Sequence, residues 1–239
     1  MTQAPIASSP PGSPAIDFRQ LGLLAGMFVI AAVIWDWWIL FPVKAFVVLL
    51  HELCHGFAAV LTGGSIVQIV VTPDLGGVCT TRGGWDLLVI PAGYLGSMAV
   101  GGAILLAASR TRADRVITAV IGGAILLVTL LFVRSWFGFA FGMLSGAALA
   151  AMARFAPEWA CDLLLRFLGL TSMLYAVIDI KEDLVTRTVP SSDAWAMSQR
   201  LFLPPVFWGV FWLVLAAGSA AFVVWLSVRK PAPTPPVPE

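Results

Sequence analysis

The sequence predicts an all-α polytopic membrane protein: a bundle of about six to seven transmembrane helices with one short β-hairpin. Composition is the first observation behind this prediction. Of 239 residues, 59% are hydrophobic and only 11% are charged, and the mean hydropathy is +0.93. Soluble domains are nearer half apolar and about a quarter charged. This chain therefore has too few charges to cover a surface facing water, and a soluble enzyme is excluded.

The second observation is a series of apolar runs, each near the roughly 20 residues that a helix needs to cross the hydrocarbon layer. There are seven of them, at 21–41, 43–62, 87–109, 115–133, 136–154, 160–181 and 206–228. Since lipid does not tolerate unpaired backbone groups, these runs are expected to be helical or shielded by other helices. Tryptophans, which favour membrane interfaces, lie near the ends of the runs: Trp35, Trp37, Trp38, Trp85, Trp136, Trp159, Trp208 and Trp225.

The two ends of the chain have a different composition from the middle. Residues 1–20 are rich in Pro and Ser and lack the basic start and apolar core of a secretory signal, so they predict a disordered tail. Residues 229–239 predict a second disordered, Pro-rich tail. Residues 21–228 are then expected to form one membrane-embedded domain.

Charge and cysteine content exclude other classes of protein. A net charge of +1 gives no electrostatic basis for binding nucleic acid as a main role. The three cysteines, Cys54, Cys79 and Cys161, are widely spaced and contain no CxxC pair. Neither a disulfide framework nor a thiolate zinc site is therefore expected.

One segment between two apolar runs departs from the helical pattern. Residues 66–71 are mostly β-branched, 73–77 read Pro-Asp-Leu-Gly-Gly, and 78–81 read Val-Cys-Thr-Thr. This succession of strand, turn and returning strand predicts a β-hairpin. Its edges need partners from the interface, from the protein or from a strand added by another chain.

The two histidines of the chain, His51 and His55, flank Glu52 in the sequence His-Glu-Leu-Cys-His. On a helix, the i, i+4 spacing places both imidazoles on one face, as in zinc hydrolases. Glu52 lies in a neighbouring sector, where it reaches a water molecule at the metal rather than the metal itself. The motif lies inside an apolar run, where a charged side chain costs ~2.5–3.5 kcal/mol. We therefore predict that His51 and His55 bind Zn²⁺ and that Glu52 is catalytic.

The alternative is a polar cluster in which these three side chains hydrogen-bond one another and hold helices together. Helix pinning needs only one polar pair, however, and does not require two histidines at ligand spacing with a carboxylate between them. Catalytic zinc commonly has three protein ligands and a water. With no further histidine and no cysteine pattern, the third ligand is expected to be a carboxylate.

Four aspartates are candidates for the third zinc ligand. Asp36 lies among the interfacial tryptophans, and Asp162 lies near the start of a helix. Asp179 follows a long apolar stretch and is the predicted ligand, because Lys181 and Glu182 indicate that the chain then leaves the hydrocarbon. Asp183, one turn further along, is the second choice.

A resemblance adds to this interpretation. The segment His51–Gly56 inside an apolar helix, the hairpin, Gly93–Ser97, Asp179–Asp183 and Ser192-Asp193-Ala194 together resemble the small bacterial membrane metalloproteases similar to site-2 proteases. The resemblance covers about residues 40–215. It implies a zinc endopeptidase with Glu52 as base, and with His51, His55 and a late aspartate as ligands. The chain lacks the Asn-Pro…Asp-Gly segment and the PDZ-like insertion of better-known members.

The expected function is that of an intramembrane zinc metalloprotease in the lipid bilayer of a bacterial cell membrane. It would hydrolyse peptide bonds of membrane-embedded or membrane-proximal protein or peptide substrates. Glu52 would take the proton of the attacking water and return it to the leaving amine. Polar groups expected to line the water-accessible cavity are Tyr94, Ser97, Ser172 and Tyr175. The alternative function is a catalytically inactive relative, or another metal-binding membrane protein such as a transporter.

Overall fold

The computed structural model describes residues 16–185 and 192–229, with the side chains of 183–185 left out. The described helices are α1 (Phe18–Val33), α2 (Phe41–Leu61), α3 (Asp86–Val89), α4 (Ser97–Arg110), α5 (Asp114–Phe132), α6 (Trp136–Phe155), α7 (Glu158–Val185), α8 (Asp193–Leu201) and α9 (Pro205–Val228). Two strands, β1 (Ser65–Val71) and β2 (Gly77–Arg82), follow α2. Of the two expected tails, 1–15 and 230–239 lie outside the described residues.

Within the described part, six helical segments are long and apolar enough to cross a membrane. They are Trp38–Leu61, Ala92–Arg110, Asp114–Phe132, Trp136–Phe155, Glu158–Glu182 and Pro205–Val228. The remaining apolar helix, α1, has only 16 residues, fewer than the roughly 20 that a full crossing needs. The predicted all-α membrane bundle is confirmed, and the chain is an integral membrane protein.

The third apolar run, expected as one helix over 87–109, is interrupted. Short α3 ends at Val89, and a π-helical turn at Ala92–Gly96 then leads into α4. Pro91 has no backbone N–H to donate to the preceding turn, which accounts for a break at this point. π-Helical turns widen the backbone and often accompany functional sites. The residues around this break contact α2.

Small residues allow the helices to approach closely. A Cβ atom added to Gly122 of α5 would lie 2.9 Å from the carbonyl oxygen of Gly146 on α6. A Cβ on Gly101 of α4 would lie 2.7 Å from Cβ of Ser172 on α7. Ser172 is thus buried between helices, and buried Ser97 donates to the carbonyl of Tyr94. Neither serine lines the large cavity described below, contrary to expectation.

The predicted β-hairpin is confirmed as an antiparallel pair running from Ser65 opposite Arg82 to Val71 opposite Gly77, with an irregularity between Ile66 and Gln68. The outer edge of β1 is partly covered by the junction of α5 and α6. There the N–H of Arg134 donates to the carbonyl of Ile69 at 2.9 Å, and the hydroxyl of Ser135 bonds both backbone groups of Val71. No described strand pairs with the outer edge of β2.

Candidate active site

Helix α2 brings the two histidines together, as the i, i+4 spacing predicts. The ring centroids of His51 and His55 are 4.8 Å apart, and their Nε2 atoms are separated by 3.1 Å. Both rings belong to the membrane-spanning segment Trp38–Leu61, and His55 is buried. Two nitrogen donors therefore face the same point within the bundle.

A backbone carbonyl fixes the orientation of one of these rings. Nδ1 of His55 lies 2.7 Å from the carbonyl oxygen of Val89, at the end of α3. A carbonyl oxygen only accepts hydrogen bonds, so Nδ1 must carry the proton. In the neutral ring, Nε2 is then the unprotonated nitrogen, which is the form that binds a metal.

The third donor atom comes from α8, a helix that the apolar runs did not predict. Oδ2 of Asp193 lies 3.4 Å from Nε2 of His51 and 3.3 Å from Nε2 of His55. Asp193 is the first residue of α8, and the hydroxyl of Ser192 caps that helix by accepting a hydrogen bond from the Trp195 N–H at 3.2 Å. Helix α8 packs against α9, and this packing holds Asp193 beside α2.

The Asp193 carboxylate is well suited to hold a cation. Burial alone would raise the pKa of Asp193, but the two adjacent histidines outweigh this effect and hold the pKa below its ordinary value. The carboxylate is therefore ionised. Its Oδ2 is buried and faces Nε2 of His51 and of His55, with no hydrogen bond to any other described group. A buried, charged oxygen is costly unless a cation or a hydrogen-bond donor satisfies it.

The three donor atoms fit one zinc ion. Two atoms each bound at about 2.0–2.1 Å by a tetrahedral metal lie about 3.3–3.4 Å apart. The separations of 3.1, 3.3 and 3.4 Å among His51, His55 and Asp193 are close to that value. Among the described residues, these form the one group of three His, Cys, Asp or Glu side chains close enough to share an ion.

Glycine at position 93 leaves the space in front of the histidines open. A Cβ atom at Gly93, in the π-helical turn, would overlap Nε2 of both His51 and His55. The next residue, Tyr94, packs edge-on against His51 with 5.0 Å between ring centroids, and Trp212 of α9 supports Tyr94 from behind. The break in the third apolar run thus provides both the space and one wall of the site.

Glu52 lies beside the donor cluster, against the hairpin. Its side chain is buried, and a Cβ on Gly77 of β2 would overlap its carboxylate. The backbone amide of Cys79 approaches the same carboxylate as a hydrogen-bond donor. Burial raises the pKa of the Cys79 thiol to about 12, so this thiol stays neutral and is not a thiolate ligand. The hairpin therefore positions Glu52 without competing for a metal.

A cavity of about 760 Å³ gives access to these side chains. Glu52 and the three donor residues line it, as do residues 75–79 of the hairpin and the exposed pair formed by Asp86 and Arg200, which lie 3.0 Å apart. The predicted lining residues Tyr94 and Tyr175 are present. A polar, water-accessible chamber within the bundle is what hydrolysis in a membrane requires.

The structure distinguishes between the aspartates proposed from sequence as the third ligand. Asp179 lines the same cavity, but the carboxylate that meets both histidines is Asp193. The side chain of Asp183 lies outside the described residues, and Asp162 pairs with Arg166 at 2.6 Å. The sequence points to Ser192-Asp193-Ala194 only through the resemblance, which does not single out Asp193 as a ligand. Depth within an apolar run carries no signal for Asp193, because this residue lies outside every apolar run.

Comparison with known proteins gives one result. The model of a protein family described as Peptidase M50B-like matches residues 24–223, which include the two histidines, Glu52 and Asp193. Comparisons with curated proteins and with solved structures give no match.

Proposed function

The chain belongs to the Peptidase M50B-like family, and from this premise we propose that it is an intramembrane zinc metalloprotease. It hydrolyses peptide bonds of membrane-embedded or membrane-proximal proteins. The observation that carries the proposal is the convergence of two histidine nitrogens and one carboxylate oxygen within 3.1–3.4 Å, with buried Glu52 beside them. We further propose that it lies in a bacterial cell membrane.

His51, His55 and Asp193 would hold the zinc, with Asp193 in the place that the sequence assigned to Asp179. A ligand set of two histidines and one carboxylate is typical of catalytic zinc and leaves a fourth position for water or substrate. When bound, zinc supplies Lewis acidity, which acidifies water and polarises a carbonyl group. The hydrogen bond from His55 to the Val89 carbonyl fixes the tautomer that such binding needs.

Glu52 acts as the general base and then as the general acid. Its carboxylate accepts a proton from the attacking water and delivers it to the leaving amine. The Cys79 amide and the close approach of Gly77 hold the Glu52 side chain in place while the proton moves. Tyr94, packed on His51, would help to orient the substrate carbonyl.

The hairpin offers the substrate a surface. A helix resists proteolysis until its backbone opens, and an opened segment needs partners for its N–H and C=O groups. Gly77, Val78 and Cys79 of β2 line the cavity next to Glu52, and the outer edge of β2 pairs with no described strand. An unwound segment added along β2 would present a peptide bond to the site.

The alternative, an inactive relative that only binds a metal or a partner helix, is less well supported. Such a protein has no use for a buried carboxylate beside the donor cluster, and burying one is costly. Glu52 is present and lies against the hairpin, and none of the ion pairs among the described residues includes it. A transporter would be expected to have several intramembrane acidic residues around a midplane site.

One experiment tests the proposal as a whole. The protein is purified in detergent, its zinc content is measured, and it is incubated with a library of reconstituted single-span membrane peptides. Mass spectrometry should find new peptide termini with untreated protein, none after zinc is stripped with a chelator, and the same termini after zinc is added back. Absence of new termini from zinc-loaded protein, or undiminished cleavage after stripping, would contradict the proposal.

A further inference from the structure

A second cavity, of about 320 Å³, lies at the membrane face where α4 ends and α5 begins. This face also contains the junction of α6 and α7, because the Arg115 guanidinium donates to the carbonyl of Ala156 at 2.7 Å. The spans end or begin here at Arg110, Asp114, Phe155 and Glu158, so the cavity lies at headgroup level. Its charged lining residues are Arg112, Asp114, Glu158, Asp162 and Arg166.

Asp114 is the unusual member of this set. Its side chain is only 6% exposed, and Oδ1 is buried without a hydrogen-bond partner among the described residues. The hydroxyl of Thr118 donates to the backbone carbonyl of Asp114, not to the carboxylate. A buried carboxylate oxygen without a hydrogen-bond partner is costly, and a ligand in the cavity can supply the missing donor.

The neighbouring charges determine which kind of donor fits. Asp162 is bound to Arg166 at 2.6 Å, and Arg166 also donates to the carbonyl of Ala108 at 3.1 Å. That arginine is therefore occupied within the protein. Asp114 and Glu158 remain as negative groups, with exposed Arg112 as the positive group, and the described ion pairs include none of the three. The lining thus offers two carboxylates for a cation and one guanidinium for an anion.

We propose that this cavity binds the headgroup of phosphatidylethanolamine. Its primary ammonium has N–H groups to donate to Oδ1 of Asp114 and to Glu158, and its phosphate accepts from Arg112. The quaternary ammonium of phosphatidylcholine has no N–H and leaves Oδ1 unsatisfied. The volume has room for such a headgroup or for about ten water molecules at about 30 Å³ each. Trp159, 68% exposed beside the cavity, has the interfacial position that tryptophan favours.

The binding test uses full-length protein in detergent, titrated with phosphatidylethanolamine or phosphatidylcholine of identical acyl chains, with bound lipid counted by native mass spectrometry. We expect one saturable phosphatidylethanolamine per chain, bound about tenfold more tightly than phosphatidylcholine, as expected for a hydrogen bond to a charged group. Equal affinity for the two lipids would overturn the proposal. Mg²⁺ alone and free ethanolamine alone are tested for protection against thermal unfolding. If either one protects as well as the lipid does, the site binds a small cation and the proposal is overturned.

Variants test the contacts of the ammonium and of the phosphate separately. Asp114→Asn and Glu158→Gln should reduce the preference for phosphatidylethanolamine over phosphatidylcholine, whereas Arg112→Gln should weaken both lipids alike. Asp36→Asn, at an exposed carboxylate remote from the cavity, is the matched control and should change neither. Should Asp114→Asn fail to fold, Glu158→Gln and Arg112→Gln still decide the matter. A preference retained by every variant that folds would overturn the assignment.

Discussion

Nδ1 of His55 lies 2.7 Å from the carbonyl oxygen of Val89, and this bond turns the other ring nitrogen toward Asp193. The carbonyl comes from the short helix just before the break at Pro91, so an interruption of the third apolar run orients a side chain on α2. Metal-binding histidines usually have such a partner on the second nitrogen, and losing it typically costs 10–100-fold in metal affinity or activity.

Replacing either histidine should remove the metal. We expect about one zinc per chain in the unmodified protein and essentially none in His51→Ala or His55→Ala, because two ligands rarely hold catalytic zinc. Cys54→Ala, on the same helix, is the control and should keep its zinc, since Cys54 is outside the donor group. Elemental analysis of the purified proteins measures the zinc content of the unmodified chain and of each variant. Full zinc content in the double histidine variant would contradict the site.

Asp193→Asn and Asp179→Asn form a matched pair on the third ligand. The first removes the ionised oxygen that lies 3.3–3.4 Å from Nε2 of both histidines. Loss of a residue that only hydrogen-bonds to a metal ligand lowers metal affinity by up to roughly 100-fold. Loss of the ligand itself should therefore lower zinc affinity by more than that. The second alters a cavity-lining carboxylate outside the donor group and should have a smaller effect. Competition with a chromophoric zinc chelator gives both affinities. If Asp179→Asn lost more zinc affinity than Asp193→Asn, Asp179 would be the third ligand, as the sequence predicts.

Glu52→Gln should keep zinc and lose cleavage. The amide fills nearly the same volume but cannot accept the proton, and general-base catalysis contributes about 10²–10⁴-fold to rate. Zinc content and the rate of formation of new peptide termini are measured on the same preparation. Cleavage at the unmodified rate would mean that another group acts as the base, while loss of zinc would make Glu52 a ligand.

Gly93→Ala should disrupt the site without altering any donor. The added Cβ would overlap Nε2 of both histidines, so we expect loss of zinc and of cleavage. Gly123→Ala, on membrane-spanning α5, is the control, because its Cβ would meet nothing within 4 Å. Thermal unfolding followed by circular dichroism shows whether each variant folds. A Gly93→Ala protein with normal zinc affinity would be inconsistent with the observed packing.

Ser192→Ala tests whether the start of α8 positions Asp193. Loss of the cap that receives the Trp195 N–H should destabilise this nine-residue helix by about 0.5–2 kcal/mol. The expected result is weaker zinc binding with faster amide exchange in residues 193–201. Ser192→Asn, which retains an N-cap acceptor, should restore both. An unchanged zinc affinity in the alanine variant, with amide exchange raised, would show that Asp193 is held by packing alone.

The helix bearing the histidines, the spans and the hairpin follow from sequence because their causes are local. Spacing on one helix fixes the relation of His51 to His55, and run length identifies the six spans, although the first run, 21–41, contains only the 16-residue α1. β-Branched residues on both sides of a Pro/Gly-containing turn identify the hairpin in the same way. These features need no knowledge of which helices pack together.

Tertiary structure alone decided which groups lie beside the two histidines. Asp193 meets the histidines because α8 packs against α9, and Val89 and Gly93 meet them because the third run breaks at Pro91. Asp179 lies within an apolar run and Asp193 does not. Depth in an apolar run determines the free energy of placing a charged side chain in the membrane, but it does not determine which residues that side chain contacts. Ligand convergence depends on how distant segments pack in three dimensions, which hydropathy and spacing along one chain do not encode.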